Sequence, residues 1–386
     1  MPSVIDARRG ARRVMTAVAT AMLTAGCTPA APPATRTIDI AAPDGVLLKA
    51  TLFQSASPGP AVLLLHQCDD RRTVWDPLGP RLAAAGITAL AVDYRGFGES
   101  GGPRYDTLSR EQQAAVTRDA WPGDFDAALE FLLRQSGVDA ARVGAAGGSC
   151  GVNNAIHLAR RHTNVKALVL LAGPADREAR AFIEAPGAPP VFAAAAADDR
   201  YGDFVLVSSW QFGISPRTES RFAQYPDGGH AAVVFRAHPE LADLVVQWFG
   251  AVLNGRPASL PSTNGVPLAP AVLQGLKAID RPGGAADPHP LLPEYLVNWL
   301  GYEHLTLKDT ATAVEIMKLN ATAYPASANA QDSLGDAYLA AGDNASALTT
   351  AKRTLQLLDA DTNLTPQQKT GLRSAADAKI AKLSSR

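Results

Sequence analysis

Charge is scarce in this sequence. Asp, Glu, Lys and Arg make up 19% of its 386 residues, and 36 basic against 37 acidic side chains leave a formal net charge of -1. So neutral a chain lacks the basic surface that nucleic acid demands of a partner. Cysteine is scarcer still. Cys27, Cys68 and Cys150 are the whole complement, too few for a disulfide scaffold and without zinc-site spacing. No His/Asp/Glu cluster has metal-ligand spacing, and we expect neither a metal nor a cofactor. No apolar run reaches the roughly 18 residues that a membrane-spanning helix needs. Material for a core is plentiful, with 47% of residues apolar, which excludes a chain too polar to fold. The length exceeds one average domain, so one large or two smaller domains are expected.

Residues 1–27 have the layout of an export signal. Arg8, Arg9, Arg12 and Arg13 precede a short apolar stretch, residues 14–25, rich in Ala and Thr. The segment ends Leu23-Thr24-Ala25-Gly26-Cys27. It resembles a bacterial lipoprotein signal, in which small residues precede a cysteine that is acylated before cleavage. Thr24 departs from the large aliphatic residue preferred at its position. The resemblance implies lipidation of Cys27, a tether over residues 28–36, and an exported protein of the bacterial cell envelope. Its lipid would anchor it at a membrane surface, facing the periplasm or exterior, rather than across the membrane. An ordinary signal peptide with a chance cysteine is the competing reading.

Residues 37–254 alternate between strand and helix patterns. Residues 37–41 and 46–53 alternate polar and apolar around Pro43-Asp44-Gly45, the signature of a hairpin. Residues 61–65 and 87–92 are all-apolar runs, as strands buried on both faces should be. Further strands are expected at 143–146, 167–171 and 191–195. Helices are expected at 75–85 (closed by Gly86), 124–134, 153–161 and 239–254. The alternation specifies an α/β fold with a doubly wound, mostly parallel sheet. Residues 255–293 are rich in Pro, Gly, Ala and Ser, with one helical patch at 272–278, and read as a linker.

Residues 294–386 read as a small all-α domain with an internal repeat. Leu300-Gly301 recurs as Leu334-Gly335, Asp309 as Asp343, Ala313 as Ala347 and Val314 as Leu348, each 34 residues on. This resembles a tetratricopeptide pair followed by a capping helix from about Pro366. Two such repeats fall short of the three needed for stability alone. They are therefore expected to pack on the first domain or on a protein partner.

The chemistry is carried by Gly147-Gly148-Ser149-Cys150-Gly151, at the point where a strand turns into a helix. A nucleophile on such a sharp turn admits only small residues two places to either side. Gly147 and Gly151 satisfy this for Ser149. For Cys150 the flanks would be Gly148 and Val152, and a β-branched residue fits a crowded turn poorly. A serine hydroxyl needs a base. Of seven histidines, His230 lies in a Gly-rich loop before the last helix of the sheet domain, and we assign it that role. His238 starts that helix and reads as structural. The acid is expected after the strand at 191–195, which leads into Asp198-Asp199.

These motifs make residues 37–254 resemble an α/β-hydrolase, of the dienelactone-hydrolase-like and serine esterase or peptidase branch. RVGAAGGSCG looks like its elbow, PPVFAAAAADDR its acid strand and YPDGGH its histidine loop. AVLLLHQCDD looks like its oxyanion strand, and ALAVDYRGFGESGG the strand and turn that follow. The resemblance implies hydrolysis of an ester, thioester or amide, in a small molecule or at a polymer end. Position matching selects Asp199 as the acid, with Asp198 the alternative. It makes the backbone N–H groups of Cys68 and Cys150 the oxyanion hole. Whether those two cysteines pair is left open, since a bridge needs Cα atoms within about 7 Å. The chain departs from the family at Gln67, where Gly is common, at Ala195-Ala196, where His-Gly is usual, and at Val152. The stretch between Gly173 and Pro189 is too short for the multi-helix cap this family often inserts there, so the site is expected to be open.

Two other function classes compete: a degenerate hydrolase-fold scaffold that binds through its repeats, and a thiol hydrolase using Cys150. Several residues have blander readings. The GxGxxG match at Gly96–Gly101 lacks the helix a dinucleotide site requires. His66 and Asp93 read as structural residues at strand ends, and residues 69–72 as a solvated loop.

Overall fold

The computed structural model describes residues 34–256, 260–261, 264–280 and 292–384. The export signal, Cys27, the tether up to residue 33 and linker residues 281–291 lie outside the described residues.

Eight strands form one sheet: β1 (Ala34–Ala41), β2 (Leu47–Gln54), β3 (Gly59–Leu65), β4 (Thr88–Val92), β5 (Val138–Gly148), β6 (Val165–Leu171), β7 (Val191–Ala196) and β8 (Arg221–Tyr225). Their order across it is β1-β2-β4-β3-β5-β6-β7-β8. The β1–β2 hairpin is antiparallel, β2 runs antiparallel to β4, and every later pair is parallel. Gly45, at a φ of 87°, turns the hairpin.

The apolar runs are explained by two cores, one on each face. Successive side chains of a strand point to opposite faces. Ala61, Leu63 and Leu65 of β3 enter the first core, while Val62 and Leu64 enter the second. Truncating one of these, Leu63→Ala for instance, would cost about 2–5 kcal/mol. Helices cover both faces. α1 (Gly79–Ala84) is shorter than its sequence spacing suggests, because Pro80 occupies its first turn and residues 72–75 form a separate 3-10 turn. α2 (Arg110–Ala115) starts with a Ser109–Gln112 capping box, and α3 (Trp121–Leu133) follows. After them come α4 (Cys150–Arg161), α5 (Arg177–Glu184), α6 (Phe204–Ile214), α7 (Val234–Ala237) and α8 (Pro239–Leu253). Phe125 of α3, Ile156 of α4 and Ile183 of α5 fill the first core; Leu82 of α1 and Trp248 of α8 fill the second.

The described part of residues 255–293 is packed on this body. Asn264 exchanges backbone hydrogen bonds with the β8 edge, donating to Phe222 O at 2.8 Å and accepting from Gln224 N–H at 2.6 Å. α9 (Pro270–Ile279) follows, and then the helices of the C-terminal region: α10 (Glu294–Thr306), α11 (Thr310–Ala323), α12 (Ala328–Ala340), α13 (Asn344–Leu357) and α14 (Pro366–Ser384). The α10–α11 and α12–α13 hairpins keep the 34-residue offset. Asp309 and Asp343 do the same work in each, accepting the N–H of Thr312 and of Ser346 as helix N-caps. Gly301 and Gly335 also correspond: a Cβ built on Gly301 would lie 2.7 Å from Met317, and one on Gly335 2.9 Å from Thr350 Oγ1.

A third core joins the two regions. Ala172, Ala195, Phe204 and Trp210 of the sheet region meet Leu276 and Ile279 of α9 and Leu296, Val297 and Leu300 of α10. Ala195 thereby acquires a reason: one of the small side chains of β7 forms part of this seam. Beside it lies a buried ion cluster. Arg180, 6% exposed at its side chain, pairs with Asp280 at 2.9 Å and Glu303 at 2.5 Å and lies over the Trp210 ring. Arg177 donates to His304 Nε2 at 2.7 Å, so the fully buried His304 donates through Nδ1 to Asp309 at 2.9 Å.

Candidate active site

The elbow is where the sequence places it, between β5 and α4. Ser149 has φ 52° and ψ -122°, a strained conformation for a residue with a side chain. Four non-glycine residues among those described have positive φ, and three of them, Ser149, Ala172 and Ala231, surround this site. The flanking glycines are obligatory. A Cβ on Gly147 would run into the Gly151 carbonyl, and one on Gly151 into the Leu65 carbonyl.

His230 stands in the loop after β8. A Cβ on Gly148 would lie 3.3 Å from Ala231 Cβ, so the histidine loop abuts the residue before Ser149. His230 Nδ1–H donates to Asp199 Oδ2 at 2.7 Å, and both side chains are buried. Asp199 Oδ1 accepts the Tyr201 N–H at 3.0 Å. The two candidate acids divide cleanly. Asp198 takes the backbone N–H groups of Gly229 at 2.8 Å and Gly228 at 3.3 Å, and so holds the histidine loop rather than the imidazole. Ser149 makes no hydrogen bond to His230 in this structure. Catalytic hydrogen bonds of this kind often tighten only with substrate in place.

Cys68 and Cys150 form a disulfide with Cα atoms 5.8 Å apart, across 82 residues of chain. The pairing left open by the sequence is thus made, and it joins the two residues whose N–H groups the resemblance assigns to the oxyanion hole. Neither N–H is taken by another acceptor among the described residues. Engagement of Cys150 Sγ also removes the thiolate that a thiol hydrolase would require.

Several residues were not foreseen as parts of the site. Gln67, noted only as a departure, ties two loops together. Its Oε1 accepts the Ala232 N–H at 3.1 Å and its Nε2 donates to Asp69 Oδ1 at 3.0 Å. Asp69 also accepts the Tyr201 hydroxyl at 2.8 Å. Burial would raise the Asp69 pKa, but the hydrogen bonds from Tyr201 and Gln67 hold it below the usual carboxylate value. The Tyr201 ring lies edge-on to His230, centroids 4.5 Å apart, and Phe204 packs at 5.4 Å. A strand-by-strand reading carries no signal for these contacts, because all but the Gln67–Asp69 bond join segments distant in sequence.

The loop at 69–72 is not simply solvated. Arg72 is buried, and its backbone and guanidinium both donate to Asp93. Asp93 in turn explains the GxGxxG match. It accepts the Glu99 N–H at 3.0 Å, and a Cβ on Gly98 would strike its carboxylate, so the turn wraps an aspartate. His66 is fully buried. Its Nδ1–H donates to Gln67 O and its Nε2 accepts the Tyr94 N–H, and desolvation holds its pKa down to about 4, a neutral structural imidazole.

No cap is inserted between Gly173 and Pro189, but a helix of the C-terminal region comes up against the acid loop. The C-terminal region supplies a wall. A Cβ on Gly202 would run into the Tyr295 hydroxyl of α10. Burial pushes the Tyr295 pKa up to about 12, helped by the nearby Asp203 and Asp199 carboxylates.

With this geometry in hand, comparison with known proteins is consistent at the level of fold. Residues 56–197 match the family model described as serine aminopeptidase, S33. Two uncharacterized proteins from strains of Mycobacterium tuberculosis are 33% identical over 129 residues, which is 33% of this chain and 42% of theirs. The match thus spans less than half the length of those relatives. Among solved structures, a predicted CIB-like hydrolase from Thermoplasma acidophilum is 19% identical, covering 56% of this chain and 99% of its own with a TM-score of 0.44. An esterase from Pyrococcus furiosus is 18% identical, covering 57% and 94% with a TM-score of 0.45. The sheet topology, the elbow and the matched family model together give an α/β-hydrolase fold.

Proposed function

We propose that this chain is a serine hydrolase that cleaves an ester, or the chemically related thioester or amide. The observation that carries the reading is the His230–Asp199 hydrogen bond between buried side chains, with its loop against a strained, glycine-flanked Ser149. Ser149 Oγ attacks the substrate carbonyl carbon while His230 Nε2 takes its proton. Asp199 fixes the imidazole tautomer through Nδ1–H and stabilises the imidazolium. The tetrahedral oxyanion is received by the N–H groups of Cys68 and Cys150, donors that matter most when charge develops. His230 returns the proton to the leaving group, the acyl-enzyme forms, and water reverses the sequence to free Ser149.

The cell-envelope reading belongs to the same proposal. The Cys68–Cys150 bridge supports it, because disulfides persist in oxidising compartments. Cys27 would carry the lipid, and the helical repeats would be the tetratricopeptide-like part.

The test is fluorophosphonate labelling of the chain from Thr28 onward, with Ser149→Ala and His230→Ala as controls, followed by turnover of nitrophenyl esters. Labelling of the wild type alone supports the reading. Folded wild-type protein that is neither labelled nor active would overturn it in favour of a binding scaffold acting through residues 294–386.

A further inference from the structure

A cleft of about 750 Å³ opens beside the elbow, between the sheet region and α10. Asn153, one helical turn beyond Ser149 on α4, lines it, as does Pro174. Pro174 follows Gly173, which is packed so closely on Ser149 that a Cβ there would strike the Ser149 carbonyl. The opposite wall is α10, whose Tyr295, Trp299 and Tyr302 recur at helical spacing, with Leu307 just beyond. Tyr295 reaches the acid loop at Gly202, next to the Tyr201 that packs on His230. The cleft is thus bounded by the nucleophile side at one wall and by the acid side at the other. Its volume is typical of small-molecule sites.

Its chemistry follows from which lining groups are already engaged. Asp176 accepts from Asn153 and His157 and caps α5 at Ala179 N–H. Glu178 pairs with Arg160, and Glu303 accepts from the Arg177 N–H and from Arg180. The Arg177 guanidinium is held by Asp280 and His304, and the Tyr302 hydroxyl donates to Asp336. The charges are neutralised from within. Two lining polar atoms, Asn298 Oδ1 and Arg177 Nε, are buried without a partner; the remaining lining is apolar, the rings of Tyr295 and Trp299, packed in part on the third core, with Pro174 and Leu307. Leu307, 55% exposed, and Tyr302 are among the few large hydrophobics exposed in the described residues, and exposed apolar surface in a cleft marks a binding site.

We propose that this cleft holds a carbon-rich portion of the substrate, acyl or alcohol, against Trp299 and Tyr295, so that the C-terminal helical region sets the specificity of the hydrolase site. The inference rests on the hydrolase reading for its substrate, and on the geometry alone for its ligand class.

The full chain from Thr28 would be assayed against nitrophenyl esters from acetyl to dodecanoyl, and against acetate esters of alcohols from methanol to naphthol. In one of the two series kcat/KM should rise with size, and that series identifies which half of the ester occupies the cleft. Trp299→Ala should lower the ratio of the largest to the smallest ester by about 10-fold or more, the scale of a lost apolar contact. Trp299→Phe should restore most of it. Leu307→Trp, a surface change that narrows the cleft, should lower the same ratio by obstruction. Ratios unchanged in both series for both Trp299→Ala and Leu307→Trp would overturn the proposal. A binding arm separates it from the hydrolase reading. Calorimetry of decanoate and 2-naphthol on Ser149→Ala should show binding of at least one, lost on adding Trp299→Ala, even if the wild type turns over nothing; no binding of either would overturn it.

Discussion

Around Ser149 the chain is fixed by what does not fit and by a covalent bond. Gly147 and Gly151 exclude any side chain, and the Cys68–Cys150 bridge ties the loop after β3 to the elbow. Around His230 nothing is covalent. Asp198 holds the loop by two backbone N–H groups, Gln67 reaches across to Ala232, and α10, some ninety residues away in sequence, braces the acid loop through Tyr295. On the proposed mechanism both sides must be positioned to catalytic tolerance, but one relies on local backbone geometry and the other on many weak contacts from distant segments. Damage to the first should be abrupt, and damage to the second graded.

The sharpest break in this comparison is expected on the acid side. Asp199→Asn leaves the contacts near-isosteric but favours the wrong imidazole tautomer, and kcat should fall about 10⁴-fold in nitrophenyl ester turnover. Asp198→Asn touches only loop anchorage, so its loss should be far smaller and fluorophosphonate labelling should survive. Equal losses would mean that the two aspartates have been assigned wrongly.

On the nucleophile side, replacing both Cys68 and Cys150 by Ser should lower kcat by about 10²-fold, the scale of one misplaced oxyanion donor. Unfolding stability should fall by about 2–4 kcal/mol in denaturant titration. A stability loss with kcat intact would reduce the bridge to a staple that the positioning of these N–H groups does not need.

The ion cluster beside the third core can be tested without changing Ser149, His230 or either aspartate. Glu303→Ala removes one of the two carboxylates that pair with the buried Arg180, leaving Asp280, and should cost about 1.5–3 kcal/mol, read as a lower thermal midpoint. Because α10 braces the acid loop, ester turnover should decline with it.

The smallest effect is a pH dependence in the histidine loop. Burial works against the charged form of His238, but hydrogen bonds to Asp227 and Glu240 hold its pKa above the ordinary imidazole value. A pKa raised on folding stabilises fully below the unfolded value of about 6.5, and that contribution is lost as pH rises through the folded value. His238→Gln should flatten this part of the thermal midpoint profile in that range and leave its acid side lower.

The contrast between the two sides also accounts for what the sequence reveals. β3 and β4 are legible because burial on both faces demands an uninterrupted apolar run, and the elbow is legible because its tolerance for side chains is so narrow. β8 is too short and mixed, RFAQY, to carry a period, and α5 and α6 lie in stretches whose partners are remote. Asp198 and Asp199 are adjacent and chemically identical, so the family match chooses between them, and only the hydrogen bonds display the division of labour. Gln67 is visible as an anomaly, but Ala232, the partner of its amide oxygen, belongs to a loop that meets it only after folding. The α10 wall is the extreme case, since the residues of 255–293 that read as a flexible connection are in part docked at β8 and through α9.

That docking has a consequence for modularity. A cut after Asn254 looks, on composition, like the place to separate a catalytic half from a repeat half. It would bare Ala172, Ala195, Phe204 and Trp210, along with the Arg180 charge, on the piece retained. The two halves therefore share a core rather than being joined as separate cassettes. A recombination event that moved the sheet region alone into another gene would transfer it with this apolar seam bared to water, so the two regions are expected to be inherited together.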